Sequence, residues 1–426
     1  MNTRFRNTGD GNRFLINPGD SGVFFYALTG QGGVSRPVMI GGNSAAPRGG
    51  TVRGTVKAVT AISVLALLAA GCGNSKPSSP SGGSSSSSPA AGPSFTACMV
   101  TDTGGLDDKS FNQSSWEGFQ AAAKTDPSIQ IKNLPSTSPA DYAKNISTFE
   151  GENCGIIITV GFLMASATQT AAAADPKQKF AIVDCSYASF CLPLKKGAKP
   201  LTNIDQLVYN TVQDGFLGGY LAAGMTKTGK VATYGGMQFG TVTIYEDGFW
   251  DGVQYYNSKH GTHVQVLGWS EKTQKGTMAG SFTNLGAGQQ IANTFINEGA
   301  DIIFPVAGGV GLGTAKAVQT ADASGKNISM MWVDTDGCIS AAAYCKYFIT
   351  SVEKGITSSV KAAILSAANG TFKGGTYVGT LSNGGAVLAP FHDWASKVPT
   401  SLKNELNALT KQIESGQIVP ATKSPV

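Results

Sequence analysis

The chain has 426 residues, 41% of them hydrophobic and 14% charged, with a net charge of +5. That length accommodates two or three domains, and the apolar fraction is enough for large buried cores. Much of the positive excess falls in the Arg-containing N-terminal region. The absence of a Lys/Arg-dense stripe with interleaved aromatics excludes a nucleic-acid footprint.

Residues 1–47 are rich in Gly, Arg and Asn, show no clear periodicity and are set apart from the folded chain. A secretory signal would read normally if translation began near Val52. Residues 57–71, KAVTAISVLALLAAG, follow Arg48 and Arg53 with an apolar run too short to span a bilayer comfortably. A basic start, an apolar middle and small residues at the end describe an export signal, so 1–71 is expected to be removed. The run closes as Leu68-Ala69-Ala70-Gly71-Cys72, which resembles a bacterial lipobox. Ala69 departs slightly from that pattern, where Leu is commonest. The resemblance implies acylation of Cys72 and a lipid anchor on the outer face of the cell membrane. Residues 73–94, GNSKPSSPSGGSSSSSPAAGPS, cannot supply a packed core and read as a flexible tether, giving a linker over 72–94.

From residue 95 to 426, short apolar runs alternate with amphipathic stretches. Strands are predicted at 95–102, 154–161, 179–186, 230–236, 263–269, 301–309 and 328–335, and helices lie between them, for example at 110–124 and 287–299. Continuous apolar strands separated by helices indicate an α/β fold with parallel sheets covered on both faces. So many units exceed one compact sheet, and two Rossmann-like lobes accommodate them better.

In open α/β sheets ligands bind beyond the carboxyl ends of the strands. The residues there are Asp102, Gly104, Gly105, Asp107 and Asp108, followed by Ser110-Phe111-Asn112. Later strands end on Gly161-Phe162, Asp184, Gly308-Gly309, and Asp334 with Asp336. If its strand continues, Asp336 faces the same side as Asp334. Carboxylates, Asn and Gly backbone at strand ends suit a hydroxyl-rich ligand, because carboxylates accept charge-assisted bonds from vicinal hydroxyls. Phe111 lies off the helical stripe of Asn112, Trp116, Phe119 and Ala123. Its ring could stack on a base or sugar, or pack under a loop. Tyr245 shares a stripe with Phe249, Val253 and Tyr256, which favours a core position.

Beyond Cys72 the chain has six cysteines, an even set that suggests three disulfides in an exported protein. Cys185–Cys191 and Cys338–Cys345 would each close a short loop, and Cys98–Cys154 would cross-link the starts of two strands. Fifteen connectivities remain formally open. No C-x-x-C spacing points to redox or zinc chemistry. His260 and His263, in KHGTH, have no neighbouring cysteine or carboxylate and read as a solvated turn, so no metal and no cofactor is expected. Catalytic motifs are absent too: no G-x-S-x-G elbow, no H-E-x-x-H, no P-loop. The Gly-rich GGVGLGTAK at 308–316 lacks Walker spacing, and Asp107 with Asp108 reads as loop capping at a helix start. The chain is therefore not expected to be an enzyme.

The segment TDTGGLDDKSFNQSSWEGFQ (101–120) resembles the signature of the basic membrane protein family, substrate-binding lipoproteins that include purine nucleoside receptors. The resemblance continues through ITVGF (158–162), DGFLGGYLAA (214–223), YEDGFWDGV (245–253), NEGADIIFPVAGGVGLG (297–313) and VDTDG (333–337). It implies the type I periplasmic-binding fold, two lobes joined by a hinge that closes on ligand, and delivery of solute to an ABC transporter permease. In nucleoside-binding members two aromatics hold the base, while Asp, Asn and Lys hold the ribose. Carried onto this chain, the resemblance implicates Asp102, Phe111, Asn112, Tyr245, Gly308, Asp334 or Asp336, and Lys354, and the strand-end positions Gly161 and Asp184 complete the expected ligand site. Tyr245 stands where Phe is usual, which preserves stacking. Gly337-Cys338 replaces a common Gln after the VDxD motif, and Gln213 stands near a common Glu. These departures bear on the ligand more than on the fold. A purine nucleoside is the first expectation, with a sugar or another small polar solute as alternatives, bound by a monomer. A sensing lipoprotein would share the same binding chemistry.

Overall fold

The computed structural model of the protein describes residues 95–188, 191–192 and 200–426. The export signal, Cys72 and the Ser-rich tether lie outside the described residues.

The chain begins with β1 (Thr96–Thr101), α1 (Phe111–Thr125), β2 (Gln130–Pro135), α2 (Asp141–Gly151), β3 (Ile156–Val160), α3 (Ala165–Ala174), β4 (Phe180–Val183) and β5 (Ile204–Tyr209). It then builds a second lobe from α4 (Val212–Met225), β6 (Lys230–Gly235), α5 (Gly240–His260), β7 (Gln265–Leu267), the short pair β8 (Trp269–Ser270) and β9 (Lys275–Gly276), and α6 (Leu285–Asn297). The same lobe continues with β10 (Ile302–Val306), α7 (Gly311–Ala323), β11 (Ser329–Asp334), α8 (Gly337–Ser340) and β12 (Phe348–Lys354). The chain returns to the first lobe through α9 (Ile356–Ala368) and β13 (Gly375–Gly379), crosses back to β14 (Ala386–Leu388), and ends in α10 (Thr400–Glu414).

The sheet of the first lobe has the order β13-β5-β4-β3-β1-β2, parallel throughout. That of the second has the order β14-β12-β11-β10-β6-β7, parallel except for β14. Helices cover both sheets, so every residue of β3, β4 and β10 is buried, which is why these strands are continuous apolar runs. No described helix is long and apolar enough to cross a membrane.

Three segments connect the lobes: Asn210–Thr211, Gly355, and the stretch between Gly379 and Ala386. They are bonded to one another. The Asn210 N–H donates to Gly379 O at 2.8 Å, and the Gly355 N–H donates to Gly385 O at 2.9 Å. Gln213, at the start of α4, accepts from the Leu381 N–H at 2.9 Å and so ties the first crossing to the third.

Helix α4 is buried nearly all round, as its sequence FLGGYLAA requires. It packs on α5 through glycines on both helices. A Cβ at Gly219 would lie 2.0 Å from Phe249 O, and one at Gly252 would lie 2.0 Å from Phe216 O. The two backbones therefore touch directly, and only glycine permits the approach.

The predicted strands are present with shorter bounds, and the helices predicted at 110–124 and 287–299 are shifted by one and two residues. The expected strand at 263–269 breaks at Gly268, where φ is +84° and a Cβ would strike Thr233 O at 2.1 Å. Six strands lacked a sequence signal. β2 and β13 are half-exposed sheet edges without an apolar run, β5 and β12 mix polar and apolar residues, and β9 and β14 are only two and three residues long. The six cysteines pair as Cys98–Cys154, Cys185–Cys191 and Cys338–Cys345.

Candidate functional site

The carboxyl ends of both sheets face a common cleft, whose cavity leaves about 50 Å³ for the centres of water-sized molecules. The first lobe lines it with Asp102, Gly104, Asp108, Phe111, Asn112, Phe162 and Asp184. The second contributes Thr241, Val242, Tyr245, Phe282, Val306, Ala307, Gly308, Gly309, Asp334 and Lys354.

Asp102 follows β1 directly. Its Oδ1 accepts from the Gly104 N–H and the Asn112 Nδ2, each at 3.2 Å. Burial pushes this carboxyl up, and those two donors pull it back down. Gly161 does not itself line the cavity. It holds φ at +107°, and a Cβ there would sit 2.3 Å from Asp102 Oδ2, so glycine leaves room for the carboxylate. Asn112 is buried, and its Oδ1 accepts no hydrogen bond from the described residues.

Asp108 accepts from the backbone N–H groups of Ser110, Asn112 and Gln113 at 2.9–3.1 Å and thereby caps α1. Burial pushes its carboxyl up to about 7 against those three donors. Asp107 is exposed and pairs with Lys109. Capping at the helix start thus describes Asp108, not Asp107. Phe111 opens α1, half-buried at the cavity wall.

Lys354 ends β12, immediately before the second crossing. Its buried ammonium lies 2.6 Å from Asp184 Oδ2 and 3.4 Å from Asp334 Oδ1, and it bonds Thr241 Oγ1 at 3.4 Å. Burial would lower its pKa, but the two carboxylates outweigh burial and raise it. The ammonium lies 5.3 Å from the Phe111 ring centroid and 5.1 Å from that of Tyr245. Tyr245 is fully buried against Phe304, as its helical stripe indicates, yet its hydroxyl donates to Asp334 Oδ1 at 3.3 Å and it lines the cavity. Burial, with Asp334 beside it, holds that hydroxyl well above the usual phenol range, so it remains a donor.

Further bonds cross between the lobes. Ser110 Oγ donates to Asp334 Oδ2 at 2.8 Å, Trp332 Nε1 donates to Lys109 O at 2.9 Å, and Thr241 Oγ1 donates to Asp184 Oδ2. The lobes are closed on each other.

Asp336 is placed differently from the expectation that it faces with Asp334. β11 ends at Asp334, whose φ of +68° turns the chain, so the alternation of a strand does not extend to Asp336. Asp336 caps α8 through the Cys338 N–H and bonds His392 Nε2 at 2.6 Å, outside the cavity lining. Asp336, Cys338 and His392 lie within 4.8 Å of one another, but the Cys338 sulfur is bonded to Cys345 and is not a thiolate donor. His260 and His263 are exposed on either side of the turn at Gly261, but His260 also has partners. It ends α5, stacks on Tyr256 at 4.2 Å, and brings Nε2 within 3.0 Å of both Tyr220 and Glu405.

The glycines of the 308–316 segment serve mainly packing and backbone approach. Gly308 has φ of +52° at the cavity, and a Cβ at Gly313 would lie 1.9 Å from Leu285 O. Sequence reasoning missed Thr241 and Phe282. Phe282 stands in a polar loop without periodicity. It faces Phe162 of the other lobe at 5.9 Å, and Phe162 in turn contacts Phe239 at 4.3 Å.

A family model described as "ABC transporter substrate-binding protein PnrA-like" (Bmp) matches residues 95–422. Among curated relatives, the ABC transporter nucleoside-binding protein BmpA of Lactococcus lactis is 30% identical over 78% of this chain and 91% of its own. A CD4+ T-cell-stimulating antigen of Listeria monocytogenes is 32% identical over 67% and 76%. Among solved structures, a solute-binding protein of an ABC transporter system from Aeropyrum pernix superposes with a TM-score of 0.67 at 22% identity, covering 77% of this chain and 94% of that one. The solute-binding protein of Agrobacterium vitis solved with α-D-tagatopyranose gives 0.52 at 17%, covering 73% and 98%. The fold is the type I periplasmic-binding fold, as the sequence resemblance implied. Proteins of this family bind substrate rather than transform it, are extracytoplasmic and membrane-associated, and serve transporter permeases. With its interlobe cleft and a match across almost all of the described chain, this protein belongs to the Bmp family of PnrA-like ABC transporter substrate-binding proteins.

Proposed function

We propose that the cleft binds a nucleoside, a purine nucleoside first, and presents it in the closed form to a permease. The observation that carries this reading is the grouping of Phe111 and Asn112 at the start of α1, with Tyr245 and Lys354 opposite. An aromatic face can stack on a base while the adjacent Asn112 Oδ1, buried without a partner among the described residues, accepts from a base or sugar donor. Asp102, Asp184 and Asp334 are acceptors for ribose hydroxyls, and Gly308 offers close backbone approach. The name of the Lactococcus relative, a nucleoside-binding protein, agrees with this reading. On the same reading Cys72 carries a lipid anchor, the Ser-rich tether spaces a monomeric binding domain from the outer face of the membrane, and ligand shifts the lobes toward closure.

Thermal unfolding of ligand-stripped protein against adenosine, guanosine, inosine, cytidine, uridine and several sugars tests the proposal. Ligand at about 100 times its Kd stabilises by about 2.7 kcal/mol, a shift of several degrees. Shifts with purine nucleosides support the reading. Shifts with sugars alone would keep the cleft and replace the ligand.

A further inference from the structure

Asp184 and Asp334 occupy matching places in the two lobes. Each stands at the carboxyl end of a central strand, and each contacts Lys354. Their backbone conformations match as well, with φ of +66° at Asp184 and +68° at Asp334. Residues with a Cβ adopt that region rarely, and they hold it where the surroundings over-determine the conformation.

A covalently closed loop follows each of them. Cys185 comes directly after Asp184 and bonds Cys191, six residues on. Cys338 comes four residues after Asp334 and bonds Cys345, seven residues on. Both loops are pinned to the sheet at their bases: the Tyr187 N–H donates to Gln206 Oε1 at 2.7 Å, and the Gly337 N–H donates to Ser351 Oγ at 2.9 Å. The second loop is held again by Asp336 and His392.

We propose that Cys185–Cys191 and Cys338–Cys345 are positioning elements of the cleft, fixing the turns that aim Asp184 and Asp334 at Lys354 and at bound ligand. Cys98–Cys154 is different in kind. It joins residues 56 apart, and Cys154 precedes β3 at the end away from the cleft. A cross-link constrains the unfolded chain more as the closed loop lengthens. The long bridge is therefore the main stabiliser of the fold, while the short ones act locally, through preorganisation.

This inference rests on the proposal that the cleft is a nucleoside site, and its test has one readout that does not. The full chain and the double variants C185S/C191S, C338S/C345S and C98S/C154S are compared in two ways. Calorimetric titration with adenosine, guanosine and inosine is expected to show about tenfold weaker binding for each short-loop variant, and unchanged binding for C98S/C154S despite its lower Tm. Amide hydrogen exchange, without ligand, is expected to show faster exchange around residues 184 and 334 in the matching short-loop variant only.

If a variant fails to fold, the wild-type protein is treated with a dithiol reductant. The dithiol supplies two electrons and two protons to each opened bridge, closes to its cyclic disulfide, and leaves two protein thiols to be alkylated. Cys338, Cys345 and Cys191 are half-buried and open to attack, whereas Cys98 and Cys154 are 0% and 4% exposed. Folded short-loop variants that bind within about twofold of wild type, or keep wild-type exchange at both turns, overturn the positioning role. A wild-type chain that binds none of the three nucleosides overturns the ligand reading, and the exchange data still decide the positioning role.

Discussion

Lys354 and Asp184 meet at 2.6 Å across the interlobe cleft, one from the last residue of β12 and the other from the residue after β4. Asp334 of the second lobe lies 3.4 Å from the same ammonium, so one buried cation is shared by carboxylates of both lobes. A buried charge is tolerated only when it is paired. The closed arrangement thus links the electrostatics of the cleft to the position of the hinge, because Lys354 directly precedes the crossing at Gly355. A ligand hydroxyl entering here meets an acceptor pair already held in place.

Replacing Lys354 with methionine keeps most of the volume and leaves two buried carboxylates without their cation. The expected loss is about 3–5 kcal/mol in urea unfolding at neutral pH. Burial already holds the Asp184 carboxyl above its unfolded value, and losing the cation that pulls it down raises it further, so the variant loses stability as pH rises above about 4. The deficit is therefore smaller at pH 5 than at pH 7. An equal deficit at both values would show that the ion pair is not its source.

Phe111→Ala removes the ring at the start of α1 while leaving Asn112 and Asp108 in place. Nucleoside binding is expected to weaken by about 1–3 kcal/mol, the scale of base–aromatic stacking. Unchanged affinity by calorimetry would remove Phe111 from the site.

The sequence carried much of this architecture because the central strands are buried on both faces and so are written as uninterrupted apolar runs. It also placed the strand-end residues Asp102, Asn112, Asp184 and Asp334, since open parallel sheets bind ligand at that end. What was not legible depends on tertiary context. Gln130–Pro135 is an edge strand with half its residues exposed, and no local pattern marks it. Asp336 looked equivalent to Asp334 until the left-handed turn at Asp334 ended the strand. Phe282 comes to the cleft from a polar loop, and its partner Phe162 lies more than a hundred residues away in the other lobe.

Asp108 makes stability depend on pH in a direction opposite to that of an ordinary ion-paired carboxylate. Its folded value of about 7 exceeds the unfolded value near 4, so the folded state binds more protons between these limits. Stability from this group is present in full below about pH 4 and is lost as pH rises to about 7. Asp108→Asn retains an acceptor oxygen for the helix cap and removes the titration. Its unfolding free energy is expected to vary less than that of wild type between pH 4 and pH 7, by a few kcal/mol at about 1.4 kcal/mol per unit. Parallel pH profiles for the two proteins would contradict this assignment.

The glycine contacts between α4 and α5 give a prediction that separates packing from backbone freedom. At Gly219 the helix is regular, and only the 2.0 Å approach of Phe249 O excludes a side chain. At Gly229 the reverse holds: φ is +73° and no atom lies within 4 Å of a Cβ. Gly229→Ala is expected to cost about 1–2 kcal/mol, the strain of a left-handed alanine. Gly219→Ala gains about 1 kcal/mol of helix propensity but must push two helices apart in the core of the second lobe, where overpacking costs about 3 kcal/mol or more. Chemical denaturation should therefore rank Gly219→Ala as the more damaging change. Because α4 follows the crossing at Asn210–Thr211, that variant should also weaken ligand binding, while Gly229→Ala should leave affinity alone. The opposite ranking would mean that the helices can separate freely, and that their glycines do not set the geometry of the hinge.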